Sequence, residues 1–375
     1  MKLIADKISY FFHTEPVLCI SGTLALLSMF FNPPGKIYFS YIDFRVLCLL
    51  FCLMAVIAGF QKLGLFLVLS ERLLYKVKTT RQLFLLLVIL CFFSSMWITN
   101  DVALITFVPF TIMILSRSNQ GRYMIFLIVI ETIAANLGSM LTPVGNPQNL
   151  YLYSYYRIPI GRFLQITLPI TLVSLFLLCM LTFIIKPAPL VMDHGKSSGV
   201  HLQLTSRLWL YLILFLICMG CVLRLMDYRL MFILVLLLLL LFEKRIFREV
   251  DYYLLLTFVF FFLFIGNIGS IPQIRNYLVP LIQGNELITS LVLSQVISNV
   301  PAAVLLSSFT DNYKALIIGT DLGGLGTLVA SLASLISYKF YCKLENAKPG
   351  KYLGVFTLYN SIFLFILCMA TLRFI

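Results

Sequence analysis

The sequence contains few charged residues and very few histidines. Of its 375 residues, 11% are Asp, Glu, Lys or Arg and only 3 are His, whereas 61% are hydrophobic and the mean hydropathy is +1.00. A soluble domain carries about 25% charged residues on average, so this composition excludes an ordinary soluble protein. Lipid must be the solvent for most of the chain.

The sequence also lacks the patterns of several function classes. It contains no HExxH, GxSxG or ATP-binding motif, and no histidine lies within its apolar segments, which argues against an intramembrane enzyme. The net charge of +13 arises from Lys and Arg in short loops, as in membrane proteins, so no nucleic-acid partner is expected. Cys218 and Cys221 form a CxxC pattern without a second ligand pair, so no metal other than Na⁺ is expected. Residues 1–15 do not resemble a removable signal peptide.

Apolar segments dominate the chain. Two of them, 82–116 and 286–310, are interrupted midway by polar residues, and we predict that each forms a re-entrant helical hairpin with arms somewhat short for a span. A polar turn at membrane depth must face protein or a water-filled cavity. The other apolar segments are predicted to cross the ~30 Å hydrocarbon core: 17–31, 44–61, 123–141, 163–185, 208–223, 229–242, 252–270, 315–338 and 353–372.

Basic loops predict the orientation in the membrane. The densest are 72–81, 244–248 and 339–351, and placing all three in the cytoplasm predicts a multi-pass protein of the cytoplasmic (plasma) membrane with its N-terminus inside and its C-terminus outside. This assignment requires that 82–116 enter and leave the membrane on one side.

The two halves of the chain resemble each other. NLGSMLTPVGNPQNLYLY at 136–153 aligns without a gap with DLGGLGTLVASLASLISY at 321–338, and Asn100 aligns with Asn299. One extra span, 208–223, would invert the second half. We therefore predict an all-α polytopic membrane protein with two inverted-topology repeats, 1–185 and 208–375, joined by a cytoplasmic linker, 186–207. Each repeat has a hairpin and a broken transmembrane helix, a pattern typical of transporters with a site at the midplane.

The segment LTPVGNPQNL at 141–150 carries two prolines and a glycine, which end regular helical hydrogen bonding and free backbone groups for ligands. A proline kink without a ligand is the structural alternative. Asp101, Glu131 and Asp321 are the acidic residues expected at membrane depth, where ionisable groups carry protons or bind cations. Asp101 and Asp321 are the proton-coupling candidates. The alternative is that one or more of the three lies near an interface, and this alternative suits Glu131 best.

Together, the hairpin tips and the TPxGxPxN pattern of 142–149 resemble the ion transporter superfamily, which includes divalent-anion/sodium symporters, citrate-type permeases, and the arsenite-permease and sodium/proton antiporter branch. The resemblance implies a scaffold that often dimerises, so a homodimer is expected. It implies substrate contacts at Asn100, Asp101, Asn146, Asn299 and Ser331. It also implies two cation sites, one at Ser95, Thr99, Asn100 and the backbone of Gly145, the other at Ser294, Ser298, Asn299 and the backbone of Ala330.

The chain departs from the dicarboxylate branch at its tips, where Asp101 and Val300 replace Thr. An acidic tip resembles the arsenite-permease branch, whose Asn, Asp and apolar run ending in Pro match 100–109. A carboxylate beside the substrate repels a dianion unless it is protonated or paired with a cation, which favours proton coupling.

The sequence therefore predicts a secondary active transporter, not an enzyme, that moves a small anion or oxyanion as citrate or arsenite permeases do. Its coupling ion is H⁺ or Na⁺, it needs no cofactor, and its surroundings are the lipid bilayer. One alternative is a sodium/proton antiporter in which Asp101 and Asp321 exchange ions. The last alternative is an intramembrane enzyme.

Overall fold

The computed structural model describes residues 15–74, 77–190 and 206–371, and within these ranges it contains helices and no β-strand. The first half contains α1 Pro16–Ser28, α2 Tyr38–Tyr41, α3 Phe44–Lys62, α4 Leu65–Leu74, α5 Thr80–Ile98, α6 Asn100–Arg117, α7 Met124–Ser139, α8 Pro147–Tyr155 and α9 Ile160–Thr182. The second contains α10 Ser206–Val222, α11 Tyr228–Phe242, α12 Tyr252–Gly269, α13 Pro272–Ile282, α14 Glu286–Ile297, α15 Asn299–Ser307, α16 Tyr313–Gly323, α17 Leu332–Cys342 and α18 Pro349–Thr371.

Seven of the described helices are long and apolar enough to cross a membrane: α3, α5, α6, α7 with the turn before it, α9, α12 and α18. The protein is therefore an integral, multi-pass, all-α membrane protein, as the sequence predicts. The predicted spans 17–31, 208–223 and 229–242 correspond to the apolar helices α1, α10 and α11, which have fewer than 18 residues each. The predicted span 315–338 is two helices of 11 residues, α16 and α17, because the glycine-rich stretch after Gly323 interrupts it.

The first predicted hairpin consists of α5 and α6, which meet at Thr99. The arms have 19 and 18 residues, longer than predicted, because Asn100 and Asp101 already belong to the second helix and the turn is Thr99 alone. Near the other end of the hairpin, the ring of Phe84 in α5 lies 5.2 Å from that of Tyr123, which follows α6. The chain therefore enters and leaves this hairpin at the same end of the protein.

The second predicted hairpin consists of α14 and α15, which meet at Ser298. Its outer end is closed by Glu286, the first residue of α14, whose carboxylate accepts hydrogen bonds from Thr310 (3.1 Å) and Asn312 (3.4 Å) beyond α15. This hairpin too begins and ends at one end of the protein.

Helix α9 shows that the two hairpins enter from opposite ends. Just before α9, the Tyr156 hydroxyl donates to the carbonyl of Thr310 beside the second hairpin (2.6 Å). Beyond its other end, Ala188 accepts a 3.0 Å hydrogen bond from the backbone of Thr80, where the first hairpin begins. At 1.5 Å per residue, the 23 residues of α9 separate these points by about 35 Å. An inverted repeat requires this arrangement, and the side of the membrane on which each hairpin lies stays a prediction.

The two broken helices lie between the hairpins. Helices α7 and α8 flank the break at 140–146, and α16 and α17 flank the break at 324–331. In the first break the chain folds back tightly at Gly145, where a Cβ would lie only 2.0 Å from the carbonyl oxygen of Ser139. Nearly every residue of α7 is buried, because α5, α6, α9, α17 and α18 surround it. The broken helices therefore occupy the centre of the protein.

Candidate functional site

The two hairpin tips have the same backbone conformation. Thr99 has φ 69° and ψ 152°, and Ser298 has φ 75° and ψ 155°. A positive φ is uncommon for residues other than glycine and costs about 1–3 kcal/mol, so the surroundings must hold it in place. In both tips the next residue is an asparagine that begins a helix.

Each tip is hydrogen-bonded to the break of the adjacent helix. The backbone N–H of Asn100 donates to the carbonyl of Gly145 (3.1 Å), and that of Asn299 donates to the carbonyl of Ala330 (3.0 Å). Ser298 also donates its hydroxyl to Ala330 (3.3 Å). The structure therefore brings each tip together with the backbone segment that the resemblance assigns to its cation site.

Ser95 and Ser294 lie behind the tips, against glycines of the broken helices. A Cβ on Gly138 would lie 2.7 Å from the Ser95 hydroxyl and 2.1 Å from the carbonyl of Phe92, and a Cβ on Gly323 would lie 2.6 Å from Ser294. Both serine hydroxyls donate to carbonyls of their own helices. A cation at this place would bind to the lone pairs of these hydroxyl oxygens.

Asn136 in α7 connects the first tip to the second broken helix. Its Oδ1 accepts hydrogen bonds from the side-chain amide of Asn100 (2.9 Å) and from the hydroxyl of Ser331 (3.0 Å). Its Nδ2 donates to Ser334 in the first turn of α17 (3.4 Å). Two of the predicted substrate residues, Asn100 and Ser331, therefore meet on one amide.

Asp321 in α16 makes the reciprocal connection to the first broken helix. Its carboxylate accepts hydrogen bonds from the side-chain amides of Asn146 (3.2 Å), Gln148 (3.4 Å) and Asn149 (3.0 Å), at the N-terminal end of α8. The orientation of the Asn146 amide is fixed, because its oxygen accepts from the backbone N–H of Asn149. Since every partner donates, the arrangement fits an ionised carboxylate.

Asn136 and Asp321 occupy equivalent positions when 136–153 is aligned with 321–338. Each lies near the end of the helix that precedes the break in its own half. Each contacts the start of the helix that follows the break in the other half. Sequence reasoning did not select these contacts as a site. The alignment of the two halves already pointed to these contacts, because it also pairs Asn146 with Ser331 and Asn149 with Ser334. The residues missed are Asn136, Gln148, Asn149 and Ser334.

Asp101 occupies a different environment, in the first turn of α6. Its carboxylate is partly buried and forms no hydrogen bond with the described part of the chain. It lines a cavity of about 340 Å³ together with Thr99 and Asn146. The other charged residues that line this cavity are Glu15, Glu249, Asp251 and Lys339. Asn299 lies apart from this group, with Ser298 donating to its side-chain oxygen (3.4 Å).

A second cavity, of about 790 Å³, opens beside the outer end of the second hairpin, where Ser308 forms part of its wall. Its charged lining residues are Asp43, Arg45, Arg157, Arg224 and Asp227. Three arginines and two aspartates give this cavity a small excess of positive charge, whereas carboxylates dominate the cavity at Asp101.

Glu131 is completely buried within the protein. Its side chain is 0% exposed, because α7 is enclosed by other helices. Its Oε1 accepts from the Thr111 hydroxyl (2.5 Å), and its Oε2 has no hydrogen-bond partner among the described residues.

Comparison with known proteins agrees with this architecture. Residues 14–333 match the model of the family described as citrate transporter. The chain belongs to the citrate transporter family. An uncharacterized transporter of Methanocaldococcus jannaschii is 32% identical over 88% of this chain and 90% of its own length. Inner membrane protein YbiR of Escherichia coli is 30% identical over 84% of each chain, and the silicon efflux transporter LSI3 of Oryza sativa is 31% identical over 38% of this chain and 30% of its own.

These similarities establish a membrane transporter of the citrate/arsenite permease type. In this member of the citrate transporter family, no group of three or more His, Cys, Asp or Glu residues within 15–74, 77–190 and 206–371 could hold a metal ion.

Proposed function

We propose that the protein is a secondary active transporter that moves a small anion or oxyanion across the cytoplasmic membrane, coupled to H⁺ or Na⁺. The observation that carries this proposal is the reciprocal pair of contacts made by Asn136 and Asp321. They place the N-terminal ends of α8 and α17 beside the hairpin tips, at the interface of the two halves. Helix N-termini favour negative charge, so this interface suits an anionic substrate.

The family description and one relative's name support a small, oxygen-rich substrate. Citrate is an oxyanion, and LSI3 is named for silicon efflux. The arginine-lined cavity supports the same class, because guanidinium groups attract anions and bind their oxygens. No residue is proposed to have a catalytic role.

Asp101 is the proposed proton carrier. Its carboxylate has no hydrogen-bond partner within the described residues and faces a cavity through which a proton could reach it. Desolvation disfavours an isolated charge, so protonation and release there can be linked to changes in access. Asp321 is the second candidate, although three amide donors favour its ionised form.

Sodium/proton antiport is the second candidate function, and the cavity at Asp101 favours it. Four carboxylates and one lysine line this cavity, and such a surface attracts cations. In that reaction Asp101 and Asp321 would exchange ions without an oxyanion substrate.

Reconstitution into proteoliposomes separates the two functions. We expect a pH or Na⁺ gradient to drive the accumulation of at least one labelled anion from a panel that includes arsenite, phosphate and citrate. Empty liposomes and the Asn299→Ala variant are the controls. Gradient-driven Na⁺/H⁺ exchange that needs no added anion, with no anion accumulated, would contradict anion transport and support the antiporter.

A further inference from the structure

Four helices begin at the centre of the protein. Helices α6 and α15 begin at the hairpin tips, and α8 and α17 begin at the breaks. The N-terminus of a helix carries the equivalent of about half a positive charge. Together these four ends form a positive centre, and the charge that remains there depends on which ends face a carboxylate.

The carboxylates are distributed unequally between the two halves. Asp101 lies in the first turn of α6, and Asp321 is hydrogen-bonded to three side chains at the start of α8. The first turns of α15 and α17 contain no acidic residue. The residue that faces α17 is the neutral Asn136, although its position is equivalent to that of Asp321. Four ends of about half a charge each sum to about two positive charges; Asp321 offsets one of these charges, and Asp101 offsets the other only while it is ionised.

A buried acceptor beside Asp321 lacks a donor. The side-chain oxygen of Asn149 is completely buried and has no hydrogen-bond partner among the described residues, while the nitrogen of the same amide donates to Asp321. An orphaned buried acceptor costs about 1–3 kcal/mol, so it indicates a ligand group or water that donates to it.

We propose that Asp321 is a specificity-determining residue that limits the substrate to a single negative charge. Its carboxylate acts as a resident anion at the start of α8. While Asp101, the proposed proton carrier, is protonated, the four helix ends and Asp321 together leave about one positive charge for the substrate. This inference rests on the proposed proton-coupled transport of an anion and specifies the charge of that anion.

The first test removes the resident charge with Asp321→Asn. The probes are two pairs of anions that match in shape and differ by one charge, succinamate with succinate and methanesulfonate with sulfate. Binding to the purified protein is measured by calorimetry. We expect the wild type to prefer the singly charged member of the pair that it binds. Asp321→Asn should raise the ratio of doubly to singly charged binding by about tenfold or more, the effect of one charge removed at close range. Glu345→Gln, which removes an exposed carboxylate that lines neither cavity, should leave the ratio unchanged.

The second test adds a resident charge at the equivalent position, and it decides the question if Asp321→Asn does not fold. Asn136→Asp should weaken binding of the singly charged probe by about tenfold or more. Binding of arsenite, which is uncharged at neutral pH, should change much less. Asn360→Asp, the same change at a buried residue of α18, is the matched control. It should not alter the ratio of the affinity for the singly charged probe to the affinity for arsenite.

Three results would overturn the inference while leaving transport intact: a wild type that prefers the doubly charged probe, a folded Asp321→Asn variant with an unchanged ratio, or an Asn136→Asp variant that binds the singly charged probe like the wild type. Failure of the wild type to bind any anion would instead contradict the proposed function, and the inference with it.

Discussion

Thr99 and Ser298 have nearly the same backbone conformation, with φ of 69° and 75° and ψ of 152° and 155°. Neither is a glycine, and each precedes an asparagine whose N–H donates to a carbonyl in a helix break. Two different sequences thus form the same turn, at a free-energy cost of about 1–3 kcal/mol each. Such strain persists where the surroundings require one geometry, which is expected at a binding site.

The two tip asparagines should both be essential for transport but should differ in their contribution to stability. Asn100→Ala and Asn299→Ala are each expected to abolish uptake. Asn100→Ala should also lower the free energy of unfolding by about 1 kcal/mol, because it removes the hydrogen bond to Asn136. Asn299→Ala should cost less, because among the described residues its side chain forms one long hydrogen bond, accepted from Ser298 (3.4 Å). Uptake into proteoliposomes and thermal unfolding test this, and wild-type uptake by either variant would contradict a site formed by both tips.

Asp101→Asn tests the coupling ion. If Asp101 carries the proton, this variant should keep substrate binding and lose the dependence of uptake on a pH gradient. If Asp101 binds Na⁺, the Na⁺ dependence should weaken and the response to pH should stay. The measurement is uptake under each gradient separately. Unchanged coupling to both ions would reject both roles. A capping role would not explain that result, because the N-cap position of α6 is Thr99 and Asp101 lies within the helix.

Gly138 and Gly323 should tolerate alanine differently. A Cβ at Gly138 would lie 2.1 Å from the backbone carbonyl of Phe92, whereas a Cβ at Gly323 would mainly meet the side chain of Ser294. Gly138→Ala is therefore expected to destabilise the protein by several kcal/mol, in the range of overpacked cores. Gly323→Ala should be less damaging and should be partly rescued by Ser294→Gly.

The control for these substitutions is Gly354→Ala in α18, where a Cβ would meet nothing within 4 Å. Alanine has the higher helix propensity by about 1 kcal/mol, so this variant should be as stable as the wild type or more stable. The midpoint of thermal unfolding measures all four variants. Equal effects of alanine at 138 and 354 would contradict the close packing of α7 against α5.

The orientation of the chain in the membrane is tested by cysteine labelling on a background without the nine native cysteines. Glu345→Cys and Ser197→Cys should resist a membrane-impermeant thiol reagent in intact cells, because both are predicted to be cytoplasmic. Asp311→Cys, beside the outer end of the second hairpin, should react. Glu345 and Asp311 are exposed, whereas Ser197 lies outside the described residues. Ready labelling at 345 or 197 would reject the predicted topology.

The predicted C-terminus outside the membrane is tested by a tag after Ile375, which also lies outside the described residues. An antibody against the tag should bind intact cells. Antibody binding only after permeabilisation would contradict the predicted location of the C-terminus. The N-terminus inside and the C-terminus outside require an odd number of membrane crossings.

The sequence alone was sufficient for the class of the protein and for the position of its breaks. Hydrophobic composition requires lipid as the solvent. Pro143, Gly145 and Pro147 lie close together in the sequence and mark the first break, because their effects on the backbone are local. The alignment of the two halves also paired Gly145 with Ala330, and both carbonyls accept hydrogen bonds from tip asparagines. The family resemblance is confirmed by the match over residues 14–333.

Only the tertiary structure decided how the halves meet. That Asn136 faces Ser331 and Asp321 faces Asn149 depends on the packing of helices far apart in the chain, and a pattern within one segment contains no information about its partner. The burial of Glu131 followed in the same way, because α7 is apolar enough to suit lipid or a protein core, and its neighbouring helices determined which of the two surrounds it.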